Sequence, residues 1–332
     1  MIILNFRLLR DILNKKRSIH EFPIMTSLIS RIPLRSVRRA CAIVALLLPL
    51  PAAAQSIGTI VVAHGGDSLW NATVRHSVAG AQTGGPVEIS FLMGPEAPRA
   101  RFQDAVARLE AQGVTRIVVV PLLVSSHSGH YDQIRYLAGD SVQLDDQMTH
   151  HLHMSGIERP TSKVPLHMAK ALDASPEVAR ILTDRALLLS KTPNTDALFI
   201  VGHGPNSAED YAAWMDNLRP VADSVKAWTG FRDVRVDMVR DDAPAPVRAE
   251  AVRRVRELIE LQHLATGRNV IVVPVLVSKG SVSRDKVPND IRGTPSIYAG
   301  EPLAPHPALA RWVERRVRES VGEARVTHVR LP

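Results

Sequence analysis

Two segments of this chain are near-copies of two others. Residues 60–66 read IVVAHGG and residues 199–205 read FIVGHGP; residues 116–126 read RIVVVPLLVSS and residues 269–279 read NVIVVPVLVSK. The offsets are similar too: 57 residues separate His64 from Pro121, and 71 separate His203 from Pro274. Each copy is a β-branched run, of the kind that fills a strand buried on both faces, and the first of each pair ends in His-Gly. A duplicated α/β unit is the simplest fold for this pattern. Ligands of open α/β sheets sit beyond the carboxyl ends of the strands, where His64 and His203 would stand.

The first 54 residues have a different character. Arg35, Arg38 and Arg39 precede an apolar run over 40–49, and Ala52, Ala53 and Ala54 follow it. That is the layout of a secretory leader, too short and wrongly flanked for a membrane span. Cleavage is expected after Ala54, with Met25 as a natural start and residues 1–24 as an upstream extension. The expected location is outside the cytoplasm, in the periplasm, with no membrane attachment after cleavage. The leader holds nine of the 41 lysines and arginines and two of the 33 acidic residues, leaving 32 basic against 31 acidic side chains. The basic balance belongs to the leader, so no nucleic-acid partner is expected. The only cysteine, Cys41, also lies there, which leaves the mature part without disulfides, thiolate ligands or a thiol nucleophile.

The apolar spacing predicts strands at 57–63, 87–93 and 114–124 and helices at 68–82 and 98–112 in the first half. It predicts strands at 197–202, 234–239 and 270–277 and helices at 207–228, 245–262 and 307–321 in the second. This is an α/β fold with a first half over 55–190, a second over 196–332 and a linker near 189–195. Each half is a parallel sheet flanked by helices, with a cleft between them. Residues 139–164 read as a polar insertion holding His150, His151 and His153. These three make either a metal-capture loop or a disordered tract with no specific role.

His64 ends its strand and is followed by Gly65 and Gly66, which let backbone approach a ligand. Residues 125–130 read SSHSGH and leave the neighbouring strand at the same edge, so His127 or His130 can join His64 on one metal ion through neutral imidazole. Aligning Pro274 on Pro121 places Lys279, Gly280 and Ser283 where Ser126, His127 and His130 stand. His203 therefore lacks a partner and is a secondary candidate, and the second half reads as a decayed copy that shapes the cleft. Asp132 is a candidate partner for the second histidine's other ring nitrogen. His167, His263 and His306 read as structural, and Asp145-Asp146 and Asp241-Asp242 as solvated turns.

The VVAHGG opening and the VPLLVSSHSGH segment, with Asp132 and Ile134 after it, resemble the class II chelatases, the CbiX/SirB group of sirohydrochlorin cobalto- and ferrochelatases. The resemblance runs over both halves. It implies two tandem chelatase-like domains and a lyase that inserts Co²⁺, Fe²⁺ or Ni²⁺ into a tetrapyrrole without a nucleotide. It also implies that His64, with His130 or His127, receives the metal and takes up pyrrole protons, so that His64 and His130 are catalytic. Imidazoles suit both tasks, because they hold a divalent ion loosely and titrate near neutrality. Tetrapyrrole carboxylates want cations; Arg99, Arg101, Arg135 and Lys279 stand in suitable positions.

The leader sets a second reading against this one, because the tetrapyrroles of siroheme and cobalamin synthesis are cytoplasmic. An exported, non-enzymatic metal or tetrapyrrole carrier on the same fold is the alternative. Other enzyme classes fail on their motifs. No Gly-x-Ser-x-Gly elbow, Gly-x-Gly-x-x-Gly turn or His-Glu-x-x-His helix occurs in the mature part.

Overall fold

The computed structural model describes residues 56–329, with side chains through 322; the leader and its cleavage site lie outside these residues. In the first half, β1 (Ile57–Ala63), β2 (Val87–Phe91), β3 (Arg116–Leu122) and β4 (Leu166–Met168) form a parallel sheet in the order β2-β1-β3-β4. In the second, β5 (Ala197–Gly202), β6 (Asp233–Met238), β7 (Val270–Pro274) and β8 (Ser296–Tyr298) repeat it as β6-β5-β7-β8. Val61 lies beside Val120 and Ile200 beside Val273, so each histidine-bearing strand is paired on both sides. The duplication in sequence is a duplication of topology. β4 and β8, three residues each, are the strands that apolar periodicity did not reveal.

The strands alternate cleanly between two layers. Ile60, Val62, Ile117 and Val119 pack outward under α2 (Phe102–Ala111), α3 (Gly129–Ala138) and α4 (Asp146–Met154). Phe199, Val201, Val270 and Val272 pack outward under α7 (Ala245–Thr266). The inner faces of the two sheets share one core, in which Val61, Val118, Leu198 and Ile271 belong to the same buried cluster. Three more helices cover these faces: α1 (Ser68–Val78), α5 (Pro176–Leu189) and α6 (Ala208–Thr229). A four-residue helix, α8 (Val287–Asp290), and the terminal α9 (Ala308–Val329) complete the chain.

The shared core has a specific cause. α5 leaves the first sheet and packs on β7 and α6 of the second half, while α9 leaves the second sheet and packs on β3 and α1 of the first. Each half lends its last helix to the other. Arg315 of α9 grips Glu177 of α5 with two hydrogen bonds of 2.9 and 2.6 Å, and Arg316 donates to the Ala171 carbonyl at 2.6 Å. Trp312 of α9 is fully buried at the centre.

Two expectations change in detail. The helix expected over 98–112 is a 3-10 turn, Ala97–Arg99, followed by α2 from Phe102, because Ala100 (φ −129°, ψ 45°) breaks the run. The polar insertion is partly ordered as α4, whose first turn is capped by Asp145 accepting from Met148 N at 2.7 Å. Asp145 is thus a cap and not a free turn residue. No helix among the described residues is long and apolar enough to cross a membrane.

Candidate metal centre

His64 stands one residue beyond β1, in a closely packed, hydrogen-bonded loop. Gly65 has φ +92°, and a Cβ there would run into the Met93 carbonyl oxygen. Gly66 exchanges two hydrogen bonds with the fully buried Asn71 amide, its N–H donating to Oδ1 (2.9 Å) and its carbonyl accepting from Nδ2 (3.2 Å). Asp67 caps α1 immediately after. The glycines therefore fix the histidine as well as clearing space around it. His64 Nδ1 lies 2.7 Å from the Gly65 carbonyl, which can only accept, so Nδ1 carries the proton and Nε2 keeps its lone pair.

The loop after β3 is clamped just as firmly. Asp173 accepts from Ser126 N and from Ser126 Oγ, both at 2.7 Å, while Ser126 Oγ accepts from Ala171 N at 2.9 Å. Ser128 then caps α3, and His130 sits in the first turn of that helix. The ring centroids of His64 and His130 are 4.6 Å apart and meet edge to face at 88°. His127 goes elsewhere: its side chain is exposed, and its carbonyl accepts from Trp214 Nε1 of the second half at 2.6 Å. Of the two alternatives for the second imidazole, the structure brings His130 to His64 and leaves His127 outside.

Asp132 is not the partner of His130. It pairs with Arg135 at 3.2 Å, because one helical residue on from Tyr131 it points along the exposed side of α3. The partner is Gln133, fully buried, whose Oε1 lies 2.8 Å from His130 Nδ1. Gln133 Nε2 donates to the Met148 carbonyl of α4 at 2.7 Å, which fixes the amide orientation and makes Oε1 the acceptor. His130 therefore donates from Nδ1 and presents a bare Nε2, as His64 does. Burial pushes the His130 imidazole down to about 4, with the neighbouring His64 adding to the effect. Burial lowers His64 as well, against an opposing hydrogen bond to Gly65. Both rings stay neutral at pH 7, the state a metal ion requires.

A third imidazole comes from the insertion. His151 stacks near His130 with centroids 6.0 Å apart, and its buried Nδ1 has no hydrogen-bond partner. His150 and His153 point outward. The three histidines thus divide, one inward and two exposed, as a single helical face requires.

The second half is not a simple decayed copy. His203 Nδ1 lies 2.9 Å from Asp241 Oδ1, and Asp241 Oδ2 accepts from Lys286 Nζ at 2.6 Å. Asp241 is buried, which corrects its reading as a solvated turn. Burial alone would raise its carboxyl, but His203 and Lys286 outweigh that and hold it at about 2. His203, Asp241 and Asp242 place one ligand atom each within 4.8 Å of one another. Lys286, on a π-helical turn Val282–Lys286, already places a cation there. Both sets stand beyond the carboxyl ends of the strands of their own sheets. Among the described residues, the sequence reading missed Asn71, Gln133, Asp241 and Lys286. Only Asp241 carried a signal, since it follows β6 as His203 follows β5.

The other expected residues have ordinary partners. Arg101 pairs with Asp104, Arg135 with Asp132 and Asp140, and Lys279 with Glu301, while Arg99 is exposed. His263 bonds the Arg268 carbonyl, and His306 faces Asp184 and caps Ala308 N. His167 lies on β4.

The CbiX family model matches residues 58–187 and again 197–320. The chain belongs to the CbiX family. Its two halves are tandem CbiX domains, and solved chelatase structures share the fold. SirB from Bacillus subtilis with Fe³⁺ superposes with a TM-score of 0.57 at 16% identity, covering 81% of this chain and 97% of that one. The sirohydrochlorin chelatase SirB from Bacillus subtilis subspecies spizizenii in complex with cobalt gives 0.52 at 17%, covering 80% and 95%. A multi-domain chelatase-like protein from Deinococcus radiodurans, DR2241, gives 0.50 at 16%, with 79% of this chain covering 54% of that one. No curated protein sequence matches the chain.

Proposed function

We propose that this CbiX-family protein is a class II chelatase, a lyase inserting a divalent metal into a sirohydrochlorin-type tetrapyrrole. The metal, Co²⁺, Fe²⁺ or Ni²⁺, is substrate. The observation that carries the reading is the pair of facing imidazoles, His64 and His130, each tied at Nδ1 and bare at Nε2. Two neutral nitrogens hold a divalent ion without the closed coordination shell that would trap it. The SirB structures with Fe³⁺ and with cobalt support metal handling by this fold.

Two pyrrole N–H protons must leave as the metal enters. His203 accepts one, its ring oriented by the hydrogen bond to Asp241, which Lys286 holds in turn, and the other passes to solvent water. His64 and His130 receive the ion on the facing wall. The leader pattern supports export to the periplasm, where the same site would serve either turnover or carriage of the metal.

The test is a calorimetric Co²⁺ titration with and without sirohydrochlorin, following tetrapyrrole absorbance in the same samples. Spectral change faster than the protein-free control, lost in His64→Ala, is the expected result. His203→Ala should keep most Co²⁺ binding and lose rate. Tight binding without acceleration would replace the enzyme by an exported metal or tetrapyrrole carrier. Equal losses of binding in the two variants would sink the one-sided metal site.

A further inference from the structure

The second half contains a cavity of about 490 Å³ alongside β8, bounded by the π-helical turn, α8 and the Ile291–Gly300 segment. Lys279, Arg284 and Arg292 line it, together with Ser283, Thr294 and Tyr298, and no carboxylate does. Its cations are incompletely neutralised. Lys279 pairs with Glu301 at 2.7 Å, but Arg284 reaches Asp67 only loosely at 3.5 Å, and Arg292 bonds the neutral Asn289 amide at 2.5 Å. The wall itself is fixed: Tyr298 donates to the Ser283 carbonyl at 2.9 Å, and Gly300 (φ +68°) closes against both residues where a Cβ would crowd them.

Its position ties it to the candidate metal centre. Ser283 aligns with His130 when Pro274 is set on Pro121, and Lys286 on the same turn reaches Asp241 and through it His203. The first half is built differently at this place. There the connection from α3 to β4 runs 27 residues, 139–165, and its α4 lays Met148 against Gly129; from α8 to β8 it is five, 291–295. The shorter connection leaves the space uncovered and rimmed by positive charge.

We propose that this cavity is an anion subsite that anchors peripheral carboxylates of the macrocycle on the second half. Guanidinium forks match carboxylates in geometry, and two of them flank an opening wide enough for more than one acidic side chain. The inference rests on the tetrapyrrole reading above, and one chemistry, carboxylate on guanidinium, could also come from a small free polycarboxylate.

The experiment titrates the protein with uroporphyrin I, an eight-carboxylate macrocycle, and separately with citrate, by tryptophan fluorescence at two salt concentrations. It compares the parent with Arg284→Gln, Arg292→Gln and the double variant. Both side chains are exposed, so thermal melts and Co²⁺ titrations should not change. The double variant should bind uroporphyrin about tenfold more weakly and with a shallower salt dependence, each exposed pair supplying a few-fold. An unchanged uroporphyrin affinity would overturn the proposal. Citrate binding lost in the double variant, with no uroporphyrin binding in the parent, would leave the anion site standing and remove both the macrocycle and the chelatase reading. Binding of neither ligand would overturn the site itself.

Discussion

Gln133 does for His130 what no charged residue does: it fixes the tautomer while adding no charge to a buried pair. Gln133→Leu keeps the volume and removes the acceptor. It should weaken Co²⁺ affinity by about 10–100-fold, the range for a lost partner behind a ligating histidine, with the apo fold still cooperative in a thermal melt. A second consequence follows from the depressed imidazoles. A ring whose value is lowered stays neutral further into acid, so metal binding should persist as pH falls through 6.5 and fail only toward about 4, the value for His130. At pH 7 binding should release almost no protons, so the calorimetric enthalpy should not vary with buffer ionisation enthalpy. Binding that halves near 6.5 would mean the rings are hydrated and unperturbed. At this scale His64 was legible because repetition marked it, and His130 was legible as one of two. Gln133, Asn71 and Lys286 were not, because a hydrogen-bond partner is chosen by direction, and spacing along a chain carries no direction.

The elements that matter most for the centre are the two loops at the strand ends and the inserted α4. Asp145 starts α4, Met148 supplies the carbonyl that holds Gln133, and His151 brings its ring to His130. One helix therefore acts on the His64–His130 pair twice, once through backbone and once through an imidazole. His151→Ala should lower Co²⁺ affinity severalfold, while His150→Ala and His153→Ala, both outward, should leave it within error in the same titration. Equal effects of all three would mean a loose histidine tract collecting metal without geometry. The long buried strands were readable from apolar runs, since period and length distinguish them, whereas their order in each sheet was not predicted. β4 and β8 were not, because three residues show no period, and α4 was hidden by its polar composition: a short helix with one buried leucine, Leu152, has almost no apolar stripe.

The whole molecule is held by exchange of α5 and α9 between the halves. The duplication predicted two halves but not this exchange, since apolar faces read alike whichever sheet they cover. Residues 55–190 expressed alone would present α5 with nothing beneath it and an inner sheet face with no α9 over it. Such a fragment should not exist as a folded monomer; light scattering after size-exclusion should find a dimer or an unfolded chain. A well-folded monomeric fragment would refute the shared core. In a dimer of such fragments a two-fold axis would impose each substitution on both walls of the cleft at once. The linker near 189–195 lifts that symmetry. Joined in one chain, one wall is free to keep imidazoles while the other acquires Asp241, Lys286 and an open basic pocket. A flat, nearly symmetric guest held between walls that differ would have one preferred way to lie.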